Sequence, residues 1–258
     1  MYEKELSVAK KAVEEASRIL MKYWKQDYKI RSKSDEFYDI VTSADLESEE
    51  NIINIIKKEF PDHEILAEES GSTGSHDYVW VIDPLDGTVN FSRSSPIFGI
   101  SIGLMHKNEL VLGVISLPAL NQIYWAIKGE GAYANNQIIH VSDKDGSDAS
   151  IYFAGVRKVS HDINAKNGFL SLVKEFPANF RLYGCAVYNS TSVATGKAEA
   201  LVSYSEKPVD VAAGILIVQE AGGIVTDIEG NEATIYSEKF ILSNKKIHGK
   251  IIDALKSS

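Results

Sequence analysis

The chain has a single cysteine, Cys185. That excludes an intramolecular disulfide framework and a cysteine-rich zinc site, and it makes a reducing, cytoplasmic setting the expectation. Proline is also scarce, 6 residues beside 18 glycines, and neither type gathers into a run, so no long disordered segment is expected. Lysine and arginine number 27 against 36 acidic residues, for a net charge of -9. Without clustered basic side chains a phosphate-backbone partner is excluded as an expectation: no nucleic acid. Apolar runs approaching the roughly 20 residues that span a bilayer are lacking, and the opening stretch MYEKELSVAKKAVEEASRIL has no apolar core of signal-peptide length. No membrane partner is expected.

What is present is an apolar content of 44% over 258 residues, enough for a large core in one domain or two. Leu6, Ala9, Val13, Ala16, Leu20 and Tyr23 recur at three- and four-residue steps, the stripe of an amphipathic helix. A second helix is expected from near Ser43 to Phe60, stopped by Pro61, with Asp45 in its first turn. Apolar segments at 78–82, 97–104, 110–117 and 122–127, separated by turn residues, predict a hairpin-rich sheet. GEGAYANN (129–136) has the spacing of a dinucleotide fingerprint, yet Asn135 and Asn136 follow and no amphipathic helix opens, so it reads as a hairpin turn. Beyond the linker SDKDGSDAS (142–150), short strands alternate with helical stretches at 164–175, 189–196 and 211–221. The expected class is α/β, mixing α+β and α/β parts, with an N-terminal domain over 1–142 and a C-terminal domain over 143–258.

The chemistry concentrates in YVWVIDPLDGTVNF (78–91), where a buried strand runs into two aspartates three residues apart. Asp-Pro and Asp-Gly are ordinary turn dipeptides, and that reading stands on its own. The rigid Pro84 also fixes the spacing, so that Asp83 and Asp86 can converge on one hard cation with the Leu85 carbonyl as a further oxygen ligand. Oxygen-only donors favour Mg2+ or Mn2+. Gly87 and Thr88 can present backbone N–H groups at a helix start, where a phosphate is favoured.

DPLDGTVNF followed by PIFGISIGL (96–104) closely resembles the signature of the inositol monophosphatases and their bisphosphatase relatives. DIVTSAD (39–45), EES (68–70) and VDVAAG continuing into EAGG (209–223) appear in the family's order, so the resemblance spans essentially the whole chain. It implies a layered αβαβα sandwich of the sugar phosphatase type. The implied metal ligands are Glu68, Asp83, the Leu85 carbonyl, Asp86 and Asp210, holding on the order of two to three Mg2+ or Mn2+ ions. Asp45 and Thr88 are implied to orient the attacking water beside Glu68, Gly87 with Thr88 to cradle phosphate, and Lys33 to belong to a loop that closes over the site. The Ala186 backbone, Arg181 and Lys207 fall in segments on the implied substrate side, where the two cations would meet a second phosphate or form structural ion pairs. A cytoplasmic, lithium-sensitive homodimer is implied as well.

Four departures from the family pattern stand out. Val209 replaces a common tryptophan, Ala67 a common glycine, and the loop from Lys33 to Asp45 is one residue longer. The acid that contacts inositol hydroxyls in many relatives aligns directly with Ser203, and with Glu206 only after a shift. The expected activity is therefore a Mg2+-dependent phosphomonoesterase acting on inositol monophosphate, fructose 1,6-bisphosphate or both. The alternatives are a nucleotide 3'-phosphatase, a histidinol-phosphate phosphatase or a non-catalytic metal- and phosphate-binding module. None of the histidines at 63, 76, 106, 140, 161 and 248 has metal-ligand spacing, and each is expected at the surface or as a cap.

Overall fold

The computed structural model describes the whole chain except residues 25–29, 33–39, 74–75, 147, 156–162, 177–178, 205 and 257–258, together with the side chains at 30–32, 40–42, 73 and 164. Lys33 and His161 therefore lie outside the described residues. Helix α1 (Glu3–Tyr23) buries Val8, Ala9, Ala12, Val13, Ala16 and Leu20, the face set by its three- and four-residue apolar steps, and starts with Glu3 and Glu5 where the helix dipole favours acids. Helix α2 (Ser43–Glu59) stops just before Pro61, as expected, and buries Ala44, Ile52 and Ile56 beside three polar residues, Asp45, Ser48 and Glu49.

Two short strands, β1 (Ile30–Ser32) and β2 (Ile40–Thr42), pair antiparallel. The main sheet comprises β3 (Glu64–Ala67), β4 (Gly71–Thr73), β5 (Tyr78–Asp86), β6 (Gly99–His106), β7 (Glu109–Leu117), β8 (Gln122–Ile127), β9 (Ala132–Ala134) and β10 (Gln137–Ile139), in the order β10-β9-β8-β7-β6-β5-β3-β4. Within the described strands of this sheet only β3 and β5 pair parallel, and α3 (Thr88–Ser92) follows β5 after Gly87. Asn135 and Asn136 adopt positive φ between β9 and β10, so the glycine-rich run at 129–136 leads into a hairpin, as read from the sequence.

The second sheet is built from β11 (Ser150–Ala154), β12 (Asn179–Arg181), β13 (Ala200–Ser203), β14 (Ile224–Asp227) and β15 (Phe240–Ser243), ordered β12-β11-β13-β15-β14. Its helices are α4 (Ile163–Glu175), α5 (Ala186–Ala194), α6 (Pro208–Glu220) and α7 (His248–Lys256). The strict alternation of side chains divides the core into layers. Trp80 and Ile82 of β5 pack with α1 and α2, while Val81 faces α6. Tyr152 and Ala154 of β11 share that middle core, while Ile151 and Phe153 face α4 and α7. The result is the expected αβαβα sandwich, and no helix among the described residues is long and apolar enough to cross a membrane.

Two boundaries differ from expectation for local reasons. Helix α5 begins at Ala186 rather than Asn189, because the Asp86 carboxylate accepts the Val187 N–H at its first turn. Helix α6 begins at Pro208 rather than Val211, since proline suits a first helical position, and this moves Asp210 from before the helix into its first turn. The alanine-rich α6 lies almost against the sheet. A Cβ at Gly113 would stand 2.8 Å from the Ala213 carbonyl oxygen, and one at Gly103 would stand 3.0 Å from the Ala213-adjacent Ala212 Cβ. Gly222, at φ +87°, ends the helix. Gly113→Ala is expected to overpack this contact and lower stability by about 1–3 kcal/mol, read as a shift in the denaturant midpoint; an unchanged midpoint would contradict the close approach.

Candidate active site

Strand β5 carries two of the expected ligands through a bulge. Asp83 pairs with Ser101 and Asp86 with Gly99, so three steps on β5 span two on β6. The extra residue falls at Pro84-Leu85, where proline cannot serve the ladder, and the strand bends. Asp83 is buried, with one oxygen, Oδ1, accepting the Leu85 N–H at 2.9 Å. Gly87 then takes φ +82°, a conformation glycine adopts without strain, and a Cβ there would lie 2.9 Å from the Ile97 carbonyl oxygen. Thr88 opens α3, and its hydroxyl donates to the Leu85 carbonyl at 3.1 Å. In this arrangement the two groups expected to serve a cation and a water satisfy each other.

The remaining carboxylates arrive from three directions. Glu68 follows β3, and its amide donates to Ile82 O at 3.2 Å. Asp210 sits in the first turn of α6, with its Oδ2 accepting the Lys207 N–H at 3.0 Å. Ligand oxygens of Glu68, Asp83 and Asp210 all fall within 4.8 Å of one another. Asp86 stands beside them, with its Oδ2 accepting the Val187 N–H at 2.8 Å. Asp45, in the first turn of α2, is buried and near enough to act electrostatically on Asp83.

These acids oppose one another's ionisation. Burial, then the charges of Glu68, Asp210 and Asp86, holds Asp83 well above the usual carboxylate range. Burial and Asp210 push Asp86 up to about 7, although the Val187 N–H works the other way. Burial and Glu68 push Asp210 up to about 6. Lys207 supplies local compensation, its ammonium 3.1 Å from Glu68 Oε1. Among the described residues, one exposed lysine does not balance four clustered carboxylates. A divalent cation would, and an all-oxygen donor set with this spacing fits a hard one.

Other sequence-based expectations fall out unevenly. Ala186 is buried at the start of α5. Arg181 lies on the edge strand β12, exposed, with its guanidinium donating to Phe180 O of its own strand rather than reaching the acids. Lys207 forms an ion pair, one of its two expected roles. Of the two positions weighed for an acid facing the substrate, Ser203 is fully buried in β13 while Glu206 lies against Asp210. Burial and Asp210 hold Glu206 well above its ordinary value. Cys185 packs beside Asp86, and burial raises its thiol well above the ordinary range, which leaves it no thiolate for attack. Among the histidines, His76 and His140 are exposed, as expected, while His63 and His106 are half-buried and His248 is buried. His63 and His106 stack on the two sides of Tyr78 at 4.7 and 4.1 Å, with His76 alongside. His248 is buried between Ser243 and Thr226.

Sequence reasoning missed Ser48 and Glu49. The signal was there: two polar residues three and four positions after Asp45, on the face that continues into Ile52 and Ile56. Ser48 Oγ donates to Pro84 O at 3.1 Å, inside the bulge.

The raised carboxyls give the site a signed pH dependence. Folded-state values of about 6 for Asp210 and about 7 for Asp86 exceed those of an unfolded chain. Their contribution to stability is therefore complete below about pH 4 and is lost as pH rises through 6 and 7. A bound cation would offset that loss. The gain in Tm from saturating Mg2+ is expected to be larger near pH 8 than near pH 5.5; equal gains by calorimetry would contradict this electrostatic picture.

Comparison with known proteins matches this geometry to one family. The inositol monophosphatase family model matches residues 1–258. The fructose-1,6-bisphosphatase/inositol-1-monophosphatase of Thermotoga maritima is 36% identical over 242 residues, covering 94% of this chain and 92% of the relative. A putative Nus factor SuhB of Neisseria meningitidis serogroup B is 34% identical over 252 residues, covering 96% of each. Among solved structures, the SuhB protein of Bartonella henselae superposes with a TM-score of 0.93 at 30% identity, covering 99% of both chains. The inositol monophosphatase of Thermotoga maritima gives 0.88 at 33%, covering 100% of this chain and 98% of the other. The chain belongs to the inositol monophosphatase family.

Proposed function

We propose that the chain is a phosphomonoesterase dependent on Mg2+ or Mn2+, acting on inositol monophosphate, fructose 1,6-bisphosphate or both. The observation that carries the reading is the convergence of Glu68, Asp83 and Asp210 within 4.8 Å, with Asp86 beside them and the turn at Gly87 leading into α3. Glu68, Asp83, Asp86, Asp210 and the Leu85 carbonyl would hold the ions. When bound, such ions neutralise the phosphate's charge and make water acidic enough to attack near neutral pH.

The chain's own residues do the rest. The backbone of Gly87 and Thr88 orients the phosphate, and the Thr88 hydroxyl with Asp45 takes up the proton of the attacking water. The hydroxyl has one proton to give. Given to Leu85 O, as in this structure, it is withheld from Asp45, so engagement of that carbonyl elsewhere is what frees it. Attack is direct, with no covalent phosphoenzyme. Glu206, next to Asp210, faces the alcohol, and the Ala186 backbone lies on the same side. Lys33 belongs to this reading as the closing lysine, and Arg181 as a distant cation that meets only an extended substrate.

The same reading makes the protein a cytoplasmic homodimer that lithium inhibits, with the main carboxylate motifs in 1–142 and Asp210 contributed from 143–258. A role like that of the relatives called Nus factor rests on their names alone, and the complete carboxylate set of this chain favours catalysis. Phosphate release measured over sugar, polyol, histidinol and 3'-nucleotide phosphates with Mg2+ is expected to favour inositol monophosphate or fructose 1,6-bisphosphate; no turnover on any would sink the enzyme reading. In Asp86→Asn the amide oxygen can still accept the Val187 N–H, so the fold should persist while turnover falls at least about 100-fold. Full activity in that variant would refute the cage.

A further inference from the structure

We infer that Glu49 is a positioning residue for the metal cage, clamping the segment that carries Glu68; the inference rests on the cage proposed above. Glu49 is 4% exposed on α2, one turn beyond Asp45. Its Oε2 accepts the Glu69 N–H at 2.8 Å and its Oε1 the Ser70 N–H at 2.9 Å. Those amides immediately follow Glu68, whose own amide is fixed to Ile82 O. The backbone through Glu68 is thus held at three consecutive residues, two of them by one carboxylate.

Anchoring α2 does not require this arrangement. Ile52 and Ile56 already bury the helix in the core beneath β5. A carboxylate taken from water and used as a double acceptor must return its desolvation cost through what it fixes. What it fixes is the distance between Glu68 and the bulge holding Asp83, because Ser48, on the same face of α2, donates to Pro84 O. Helix α2 therefore sets both ligand segments against one rigid element, while the ligands themselves repel. Glu49 keeps Glu68 from swinging outward before a cation arrives. Groups that orient metal ligands in this way typically contribute about 10- to 100-fold to metal affinity.

The test is direct Mn2+ binding to the full chain, followed by electron paramagnetic resonance without substrate, and then Mg2+ activation of turnover. Glu49→Gln leaves one acceptor and sets an amide N–H2 against the second backbone N–H. Its Mn2+ dissociation constant should rise about 10- to 100-fold, and the Mg2+ activation constant in parallel, while KM at saturating metal and the circular dichroism spectrum hold. Glu49→Asp, which keeps the charge but is one methylene too short to span both amides, should show a smaller loss, and it decides the matter if the glutamine variant does not fold. Mn2+ affinity equal to wild type in either folded variant would overturn the inference and leave the cage standing. Absence of Mn2+ binding in the wild type would overturn the cage itself. If neither variant folds, amide exchange in the wild type decides: slow exchange at Glu69 and Ser70, slowed further by Mn2+, supports the clamp, and exchange at open-loop rates rejects it.

Discussion

Like charges held together in a protein interior are the constraint around which this molecule is arranged. Asp83, Asp86, Asp210 and Glu68 each raise the cost of ionising a neighbour, so the fold must supply both the force that brings them together and the compensation that lets them stay. The force is the burial of apolar side chains on both faces of β5, by Trp80 and Ile82 on one side and Val81 on the other. Compensation among the described residues is partial: the Val187 and Lys207 backbone amides, the Leu85 amide and the Lys207 ammonium. A bound cation would complete this arrangement, and metal affinity would then follow from folding rather than be an addition to it.

Closeness of backbones makes the geometry possible. Asp210 reaches the acids of β5 because α6 lies nearly in contact with β6 and β7, at Gly103 and Gly113, and that approach depends on alanine at 212 and 213. Gly87 plays the corresponding part beside Cys185 and Ile97. Small residues thus stand where α6 crosses β6 and β7 and where the turn after β5 meets Cys185, and larger apolar residues fill the layers on either side.

Much of this was legible in the chain. The stripes of α1 and α2, the hairpin at Asn135 and Asn136, the long strands from β5 to β8 and the buried α6 follow from period, turn chemistry and glycine placement, and the αβαβα layering followed from the family resemblance. Local features were less readable. The starts of α5 and α6 depend on contacts with Asp86 and on a proline at the first helical position. Strands β14 and β15 are four residues each and helix α7 nine, too short for a periodic pattern to settle their state without their neighbours. In the site, the spacing within 83–88 was visible because it is local. Glu49 and Ser48 escaped notice because their partners, the Glu69 N–H 20 residues away and the Pro84 carbonyl 36 residues away, are set by tertiary contact, and which of Ser203 and Glu206 faced the core was likewise decided by the fold.

Strand β13 ends in Ser203, fully buried, and Tyr204, packed into the outer core, while Pro208 and Val209 begin α6 against the middle core. Between these fixed ends stand Glu206, beside Asp210, and Lys207, whose ammonium pairs with Glu68 while its backbone amide serves Asp210. A substitution at either position would therefore be felt as a change of charge beside the clustered carboxylates, while the strand and helix on either side stay anchored by their own burial.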